Sequence, residues 1–516
     1  MWPIAKQTLK AAVRYRFVVA MIIALMVIVF GIPLLVKSDG TAKGTVQLVL
    51  TYTLGSTTAL LGIASLWMGC GTLAREIEDN VMQMVAVKPV ARWQVWLGKW
   101  LGIMLLNAAL MVPTGLAIFF LINARADSPE LDEFQKSKLQ NEVLVSRSSV
   151  REPEPDFSLS RQKAYRYALL VAEGKTENQY TEKEQAFRMS VTGPEHILSF
   201  RPDYPRLVEQ SRAPRPTEDI LTQLGQLEND AVRMSRASYE IVLPGQDRFW
   251  EFQIDPDMVD EVNQKPVYLR FKFNADDEYD PKSHTLWFSI GEGTSKRWPP
   301  EGAFKEMRRG SSAFHEEQLP VGIVPDKGPL RGKVRVHFMN RNSERPIVFL
   351  LEDGPMILYH DGGFGMNLFR GLLIIYFWLG LISAIGLMAS SFLSFPVATF
   401  MSLGILLISA STGTLEQIIK EGGITGINHE TGKKDESSLL DGAAIFFAQG
   451  AVEITSAIWG YSPVDSLSAG RKIKWITLLA AFTWVVLVVG GLVMLVGSIL
   501  FHFKELALPN PTASMN

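Results

Sequence analysis

The chain reads as an α-helical polytopic membrane protein of six spans plus a re-entrant or interfacial helix. An extracytoplasmic α+β domain, ending in an antiparallel β-sandwich, is inserted between the third and fourth spans. Three observations lead there. Hydrophobic residues make up 47% of the 516, and charged residues 20%, with the charges crowded between Arg125 and Asp361. Both flanks carry uncharged runs of about 20 residues or more, the length a bilayer-crossing helix needs. After Tyr239 the apolar residues change from helical spacing to strict alternation, the mark of half-buried strands.

The same figures exclude other classes. Apolar content this high does not belong to a disordered or fibrous chain. A net charge of −2 lacks the basic stripe that nucleic-acid binding requires, so no nucleic acid is expected as a partner. The single cysteine, Cys70, has no second thiol for an intramolecular disulfide.

The first half, 1–124, holds three spans. Phe17 to Val36 is too long for the apolar core of a signal peptide and lacks a small-residue cleavage site. Lys6, Lys10, Arg14 and Arg16 precede it without an acid, which puts the N-terminus in the cytoplasm by the positive-inside rule. Gly44–Ala74 and Trp100–Ala124 hold the second and third spans. In the second half, 366–516, the uncharged run Gly371–Leu415 suits a hairpin of two spans. Ser390, Ser391 and Ser394 mark its turn, and Pro396 suits the first turn of the fifth span. Trp475–Phe501 is the sixth. Gly442–Val452 is too short to cross and reads as the re-entrant or interfacial piece. Arg471, Lys472 and Lys474 then fall on the outer side, against the charge rule.

Span interiors carry no Asp, Glu, Lys or His, so proton or ion coupling is not expected. No nucleotide site is legible either. Gly426–Lys434, GINHETGKK, has the wrong spacing for a phosphate loop and ends on Lys where Ser or Thr is needed. The second span carries small residues at helical spacing, Gly55, Thr58, Ala59, Gly62, Ser65 and Gly69. Such a face permits close helix packing, or it lines a path for a substrate.

The most informative segment is the loop between spans two and three, Arg75–Trp100. Ile77, Val81, Met84 and Val85 lie on one helical face, with Glu76, Asp79, Asn80 and Gln83 largely on the other. Pro89 stops this helix and a second begins near Arg92, with Trp93, Trp96 and Trp100 along one side. The acidic start Arg75-Glu76, then Pro89-Val90-Ala91-Arg92, then Gly98-Lys99 resembles the permeases of type-2 ABC exporters. The resemblance covers residues 1–124 and 371–503; Asp79-Asn80 stands where that family usually has Gly-Thr. It implies that this loop is a coupling helix docking in a groove of a separate ATP-binding subunit. It also implies a second permease subunit, as homo- or heterodimer, and a bacterial cytoplasmic membrane. Six spans from a cytoplasmic N-terminus put both termini inside and residues 125–365 outside, which matches that family.

The outer domain reads in two parts. Residues 125–235 are helical or irregular, with Thr217–Ala237 the clearest helix. Residues 236–365 are the sandwich. Val267-Leu269-Phe271-Phe273, Leu286-Phe288-Ile290 and Val334-Val336-Phe338 alternate with polar residues, joined by Phe249–Ile254 and Ile347–Leu351. Tyr268 and Trp287 fall off this core face. They form a platform for sugar rings, making a glycan or envelope protein a partner, or are buried under the helical half. The acidic run Asp276, Asp277, Glu278, Asp280 lacks the ligand spacing of a calcium loop. His315-Glu316-Glu317 lacks the second histidine of a zinc helix. No metal, cofactor or catalytic constellation is expected, and the chain does not read as an enzyme.

Overall fold

The computed structural model describes residues 1–504 except 15, 38–40, 80, 83–89, 130, 154, 158–161, 164, 168–169, 171–178, 191–202, 213–217, 276–283, 292–296, 302, 343–344, 411–451 and 453–460. Gly426–Lys434, the acidic run from Asp276 and nearly all of Gly442–Val452 therefore lie outside the described residues. The chain forms two compact units, one of residues 1–147 and 361–516, the other of residues 148–360.

The first unit is helical. Trp2–Arg14 (α1), read from sequence only as a basic tail, is a helix. Its Ala5 and Thr8 are buried, and Ile4, Leu9 and Ala12 pack on the core, a three-and-four repeat too short to register as a span. Phe17–Leu35 (α2) follows, loosened by a π-helical turn at Val27–Gly31 and by Pro33. Ala42–Glu78 (α3) starts where the Thr41 hydroxyl accepts the Gly44 N–H at 3.0 Å, an ordinary N-cap. Arg92–Ala126 (α4) and the short Glu133–Glu142 (α5) complete the first half.

Phe364–Ser390 (α8, numbered after Asp203–Ser211, α6, and Glu218–Glu240, α7, of the second unit) ends at the expected serines. The hydroxyls of Ser390 and Ser391 bond back to the Leu387 carbonyl at 2.9 and 2.8 Å. Phe395–Ala410 (α9) then begins with Pro396 in its first turn. Trp475–Phe503 (α11) is the last helix among the described residues. Five helices, α2, α3, α4, α8 and α11, are long and apolar enough to cross a membrane; α9 is apolar but shorter over its described length.

An element absent from the sequence reading, Pro463–Ser468 (α10), stitches this unit together at one end. It turns at Gly470, whose φ of +62° favours glycine; a Cβ there would run into the Glu142 carbonyl. The next three residues are clasped from α8. The Asn367 amide donates to the Arg471 carbonyl at 2.7 Å and accepts the Ile473 N–H at 2.8 Å. Arg370 donates to the Ile473 carbonyl at 3.1 Å and covers the Trp475 ring. Lys472, one of the three cations that run against the charge rule, is paired with Asp361 at 2.7 Å.

The second unit carries Asp203–Ser211 (α6) and Glu218–Glu240 (α7), close to the expected helix. Its strands are β1 Val145–Arg151 (beginning in the first unit), β2 Ile241–Val242, β3 Asp247–Gln253, β4 Val267–Lys272, β5 Asn274–Ala275 and β6 His284–Ile290. They continue with β7 Lys305–Arg309, β8 Phe314–Leu319, β9 Lys333–Met339, β10 Ile347–Val348 and β11 Met356–Gly363, which ends in the first unit. There are two four-stranded sheets, ordered β1-β11-β4-β8 and β3-β9-β6-β7, and a small sheet ordered β2-β10-β5. The pairs β4–β8, β4–β11, β3–β9, β6–β9 and β6–β7 are antiparallel. Every core-face residue expected from the three long alternations enters one shared core with Trp250, Phe252, Ile357 and Phe349. Strand β1 departs from expectation: residues 145–151 were to be helical or irregular, and they form a strand.

His315 sits among Phe271 and Phe273 and bonds the Gly310 carbonyl at 2.7 Å; burial lowers its pKa below the ordinary value. A base with a depressed folded-state pKa loses stabilisation as pH falls below its unfolded pKa, because only the unfolded chain takes up the proton. The second unit is therefore expected to lose stability as pH drops below about 6.5. Urea unfolding at pH 7.5 and 5.5 checks this, and a His315→Phe variant should flatten that part of the slope.

Candidate functional site

The residues of the loop motif gather at one end of the helical unit, and most of them are already engaged within the chain. Helix α3 runs without a break through Arg75, Glu76 and Ile77 to Glu78, so the expected coupling helix does not begin at Arg75. Nothing between Ala74 and Glu78 stops a helix. The direction of each side chain is therefore set by the span. Ile77, four residues after the buried Leu73, packs on the core that also holds Met82 and Trp96. It is half-buried there, so part of the side chain expected on the docking face already packs within the chain. Val81 is helical and half-buried, whereas Met84, Val85 and Pro89 lie outside the described residues.

Each charged residue of the motif fastens a different helix. Arg75 lies 4.3 Å from the Phe395 ring centroid at the start of α9. Glu76 pairs at 2.7 Å with Lys99, which also donates to the Thr72 carbonyl at 2.9 Å. Arg92 donates to three carbonyls at the end of α11: Phe501 and His502 at 2.6 Å, and Lys504 at 3.0 Å. Those carbonyls have no intrahelical donor, and a cation there also suits the helix dipole. Gly98 is where α1 crosses α4, since a Cβ would meet Ile4 at 2.9 Å and the Met1 carbonyl at 3.1 Å. Gly102, one turn on, repeats this against Thr8 and Ala5. Glu78, which sequence reasoning missed, accepts the Phe395 N–H at 2.9 Å and so caps α9. No local pattern marks Glu78, because its partner is 317 residues away.

The small-residue stripe divides. Gly62, Ser65 and Gly69 are buried against neighbouring helices. A Cβ on Gly69 would stand 2.7 Å from the Ser383 carbonyl and 3.2 Å from Cα of Gly386. Ser65 bonds the fully buried Asn107 of α4 at 2.8 Å. Gly55 and Ala59 instead face open space or are exposed, and the Thr58 hydroxyl bonds back to Leu54.

In the second unit, Tyr268 and Trp287 do not share a surface. Tyr268 is on β4, 2% exposed, packed with Met356 and Leu358. Trp287 is on β6 in the other sheet, half-buried. Each points away from the common core, hence in opposite directions, and the joint platform is withdrawn. The aromatic surface present is on β3 and β9. Phe249 stacks on His337 at 4.0 Å, Phe304 meets the same ring at 4.9 Å, and Asp247 bonds the His337 Nε2 at 3.0 Å. Nearby, Tyr239 donates to Glu152 at 2.5 Å beneath Arg248; burial first, then that bond, pushes its pKa up to about 12. The adjoining cavity of about 30 Å³ has room for roughly two waters. Among the described residues no cluster of His, Cys, Asp and Glu could hold a metal ion.

Comparison with known proteins adds no assignment: no family model, curated protein or solved structure matches the chain.

Two outcomes follow from this geometry. Glu76→Ala strands Lys99, 2% exposed, and is expected to cost about 3 kcal/mol or more. Lys99→Met leaves only the part-exposed Glu76 unpaired and should cost much less. Gly69→Ala should destabilise by about 1–3 kcal/mol through overpacking, while Gly55→Ala is neutral or mildly stabilising. Thermal unfolding of the purified chain resolves both pairs.

Proposed function

We propose that the chain is the membrane-spanning permease subunit of an ATP-driven exporter, receiving motion from a separate ATP-binding subunit through the 75–99 loop. The observation that carries this reading is the convergence on that loop. Through Arg75 and Glu78 it touches α9, through Glu76 and Lys99 it ties α3 to α4, and through Arg92 it holds the end of α11. A push on a segment so placed reaches four membrane helices together.

In this proposal the N-terminus and the loop are cytoplasmic, the second unit is extracytoplasmic, and two permease subunits form the working assembly. The docking surface is narrower than the apolar stripe, because Ile77 already packs in part on the protein's own core. Val81, Met84 and Val85 remain its apolar candidates.

A second reading is favoured by the β3–β9 surface. Phe249, 42% exposed, and its stacked neighbours suit a membrane-anchored module that holds a glycan or an envelope protein. Aromatic and arginine side chains are the usual anchors of such contacts.

Co-purification with a co-expressed ATP-binding subunit separates the two. Val81→Asp should weaken association at least about tenfold, since an ion placed in an apolar contact costs more than the roughly 1.4 kcal/mol that makes a decade. Phe249→Ala should leave that association unchanged. If Val81→Asp has no effect on association or ATP turnover while Phe249→Ala abolishes capture of an outer ligand, the anchored module replaces the permease.

A further inference from the structure

In the helical unit a groove of about 450 Å³ opens between the C-terminal turn of α2 and the first half of α3. Its volume falls within the roughly 300–1,000 Å³ of ligand clefts. Ile32, Leu35 and Val36 form one wall, Leu48, Tyr52 and Ser56 the other, and Lys37 stands at one end. The cause is local. The π-helical turn at Val27–Gly31 and Pro33 disturb the regular winding of α2 as it reaches this end. On α3, Leu48, Tyr52 and Ser56 lie one turn apart on one side, and Gly55 on the same side has nothing within 4 Å of where its Cβ would stand.

The groove is lined mainly by apolar side chains and carries one cation, Lys37. Leu35 is 81% exposed and Tyr52 55%, large apolar surface on a segment long and apolar enough to cross a bilayer. Lys37 makes no ion pair among the described residues, unlike Lys43 nearby, which is paired with Glu142. Arg125 donates to the Pro33 carbonyl at 3.1 Å, steadying the α2 wall and placing a second cation at the same end. A slot for hydrocarbon with positive charge at the level where a span ends has the chemistry of an anionic amphiphile.

We propose that this groove is a binding site for an anionic phospholipid of the surrounding bilayer, one acyl chain lying between α2 and α3 and the phosphate on Lys37. A Tyr at this depth adds a hydroxyl that can donate to the headgroup, as tyrosines at membrane interfaces do. The site stands whether the chain is a permease or an anchor, since neither the loop nor the second unit contributes to it.

The test uses the full chain in nanodiscs of phosphatidylcholine containing about one tenth phosphatidylglycerol, with a benzoyl-phenylalanine in place of Tyr52 as photo-crosslinker. Mass spectrometry of the adducts should show phosphatidylglycerol enriched well above its share of the bilayer. Lys37→Gln should lower that enrichment by about fivefold, the effect of one cation at an anionic lipid surface, and Lys37→Glu, which also adds an anion, by more. Phosphatidylcholine adducts should persist in both. Ser56→Leu, which fills the groove, should reduce adducts of both lipids. Enrichment that is absent, or that survives Lys37→Glu, overturns the proposal. So does a protein–protein adduct, which would mean that a second copy covers the groove. Each variant is scored only as a monodisperse species with the parent's melting temperature, so loss of folding is not read as loss of lipid.

Discussion

The helical unit depends on the close approach of α3 and α8. Where Gly69 meets Gly386 the backbones come near enough that a methyl on either would collide with the other helix: at the Ser383 carbonyl in one direction, and at the Leu66 carbonyl, 2.8 Å away, in the other. In lipid there is little hydrophobic gain in pressing two apolar helices together, so such contacts rest on dispersion and fit. Small residues are what permit that fit. Around this axis α4 adds the buried Asn107–Ser65 bond, and the Trp100 indole N–H donates to the Gly380 carbonyl at 2.8 Å.

Polar groups close both ends of that bundle, by different means. At the end that holds the loop, charged side chains satisfy the unpaired backbone groups of helix termini: Arg92 for α11, Glu78 for α9. At the opposite end, Asn367 and Arg370 hold an irregular segment by its backbone. Non-helical backbone beside a bilayer needs such partners, because lipid offers none. Lys472, in the same clasp, has Asp361 as its counter-ion.

The second unit follows from a simpler rule. Its two main sheets each send alternate residues into one core, and the intervening residues are left to deal with water or with other parts of the chain. Tyr268 and Phe249 show how different that second fate can be. Both point off the core, yet one is covered and the other is exposed. Alternation assigns a residue to a side of its strand; it does not say what lies on that side.

Much of the architecture was legible from local pattern. Uncharged runs located the long apolar helices, the serines before Pro396 located the break between α8 and α9, and alternation located β4, β6 and β9 with their inward residues. Each of these is a short-range property, set by the period of the backbone and the cost of exposing apolar surface. Strand β1, helix α10, the capping role of Glu78 and the inward turn of Ile77 were not legible. Each depends on a partner distant in sequence or on the rotation of a helix that continues past its expected end. For the same reason the stripe from Gly55 to Gly69 read as one feature and folded as two. Its spacing determined that small residues would line one face of α3, but only the placement of α8, and of the loosened end of α2, decided which of them meet a helix and which border a groove.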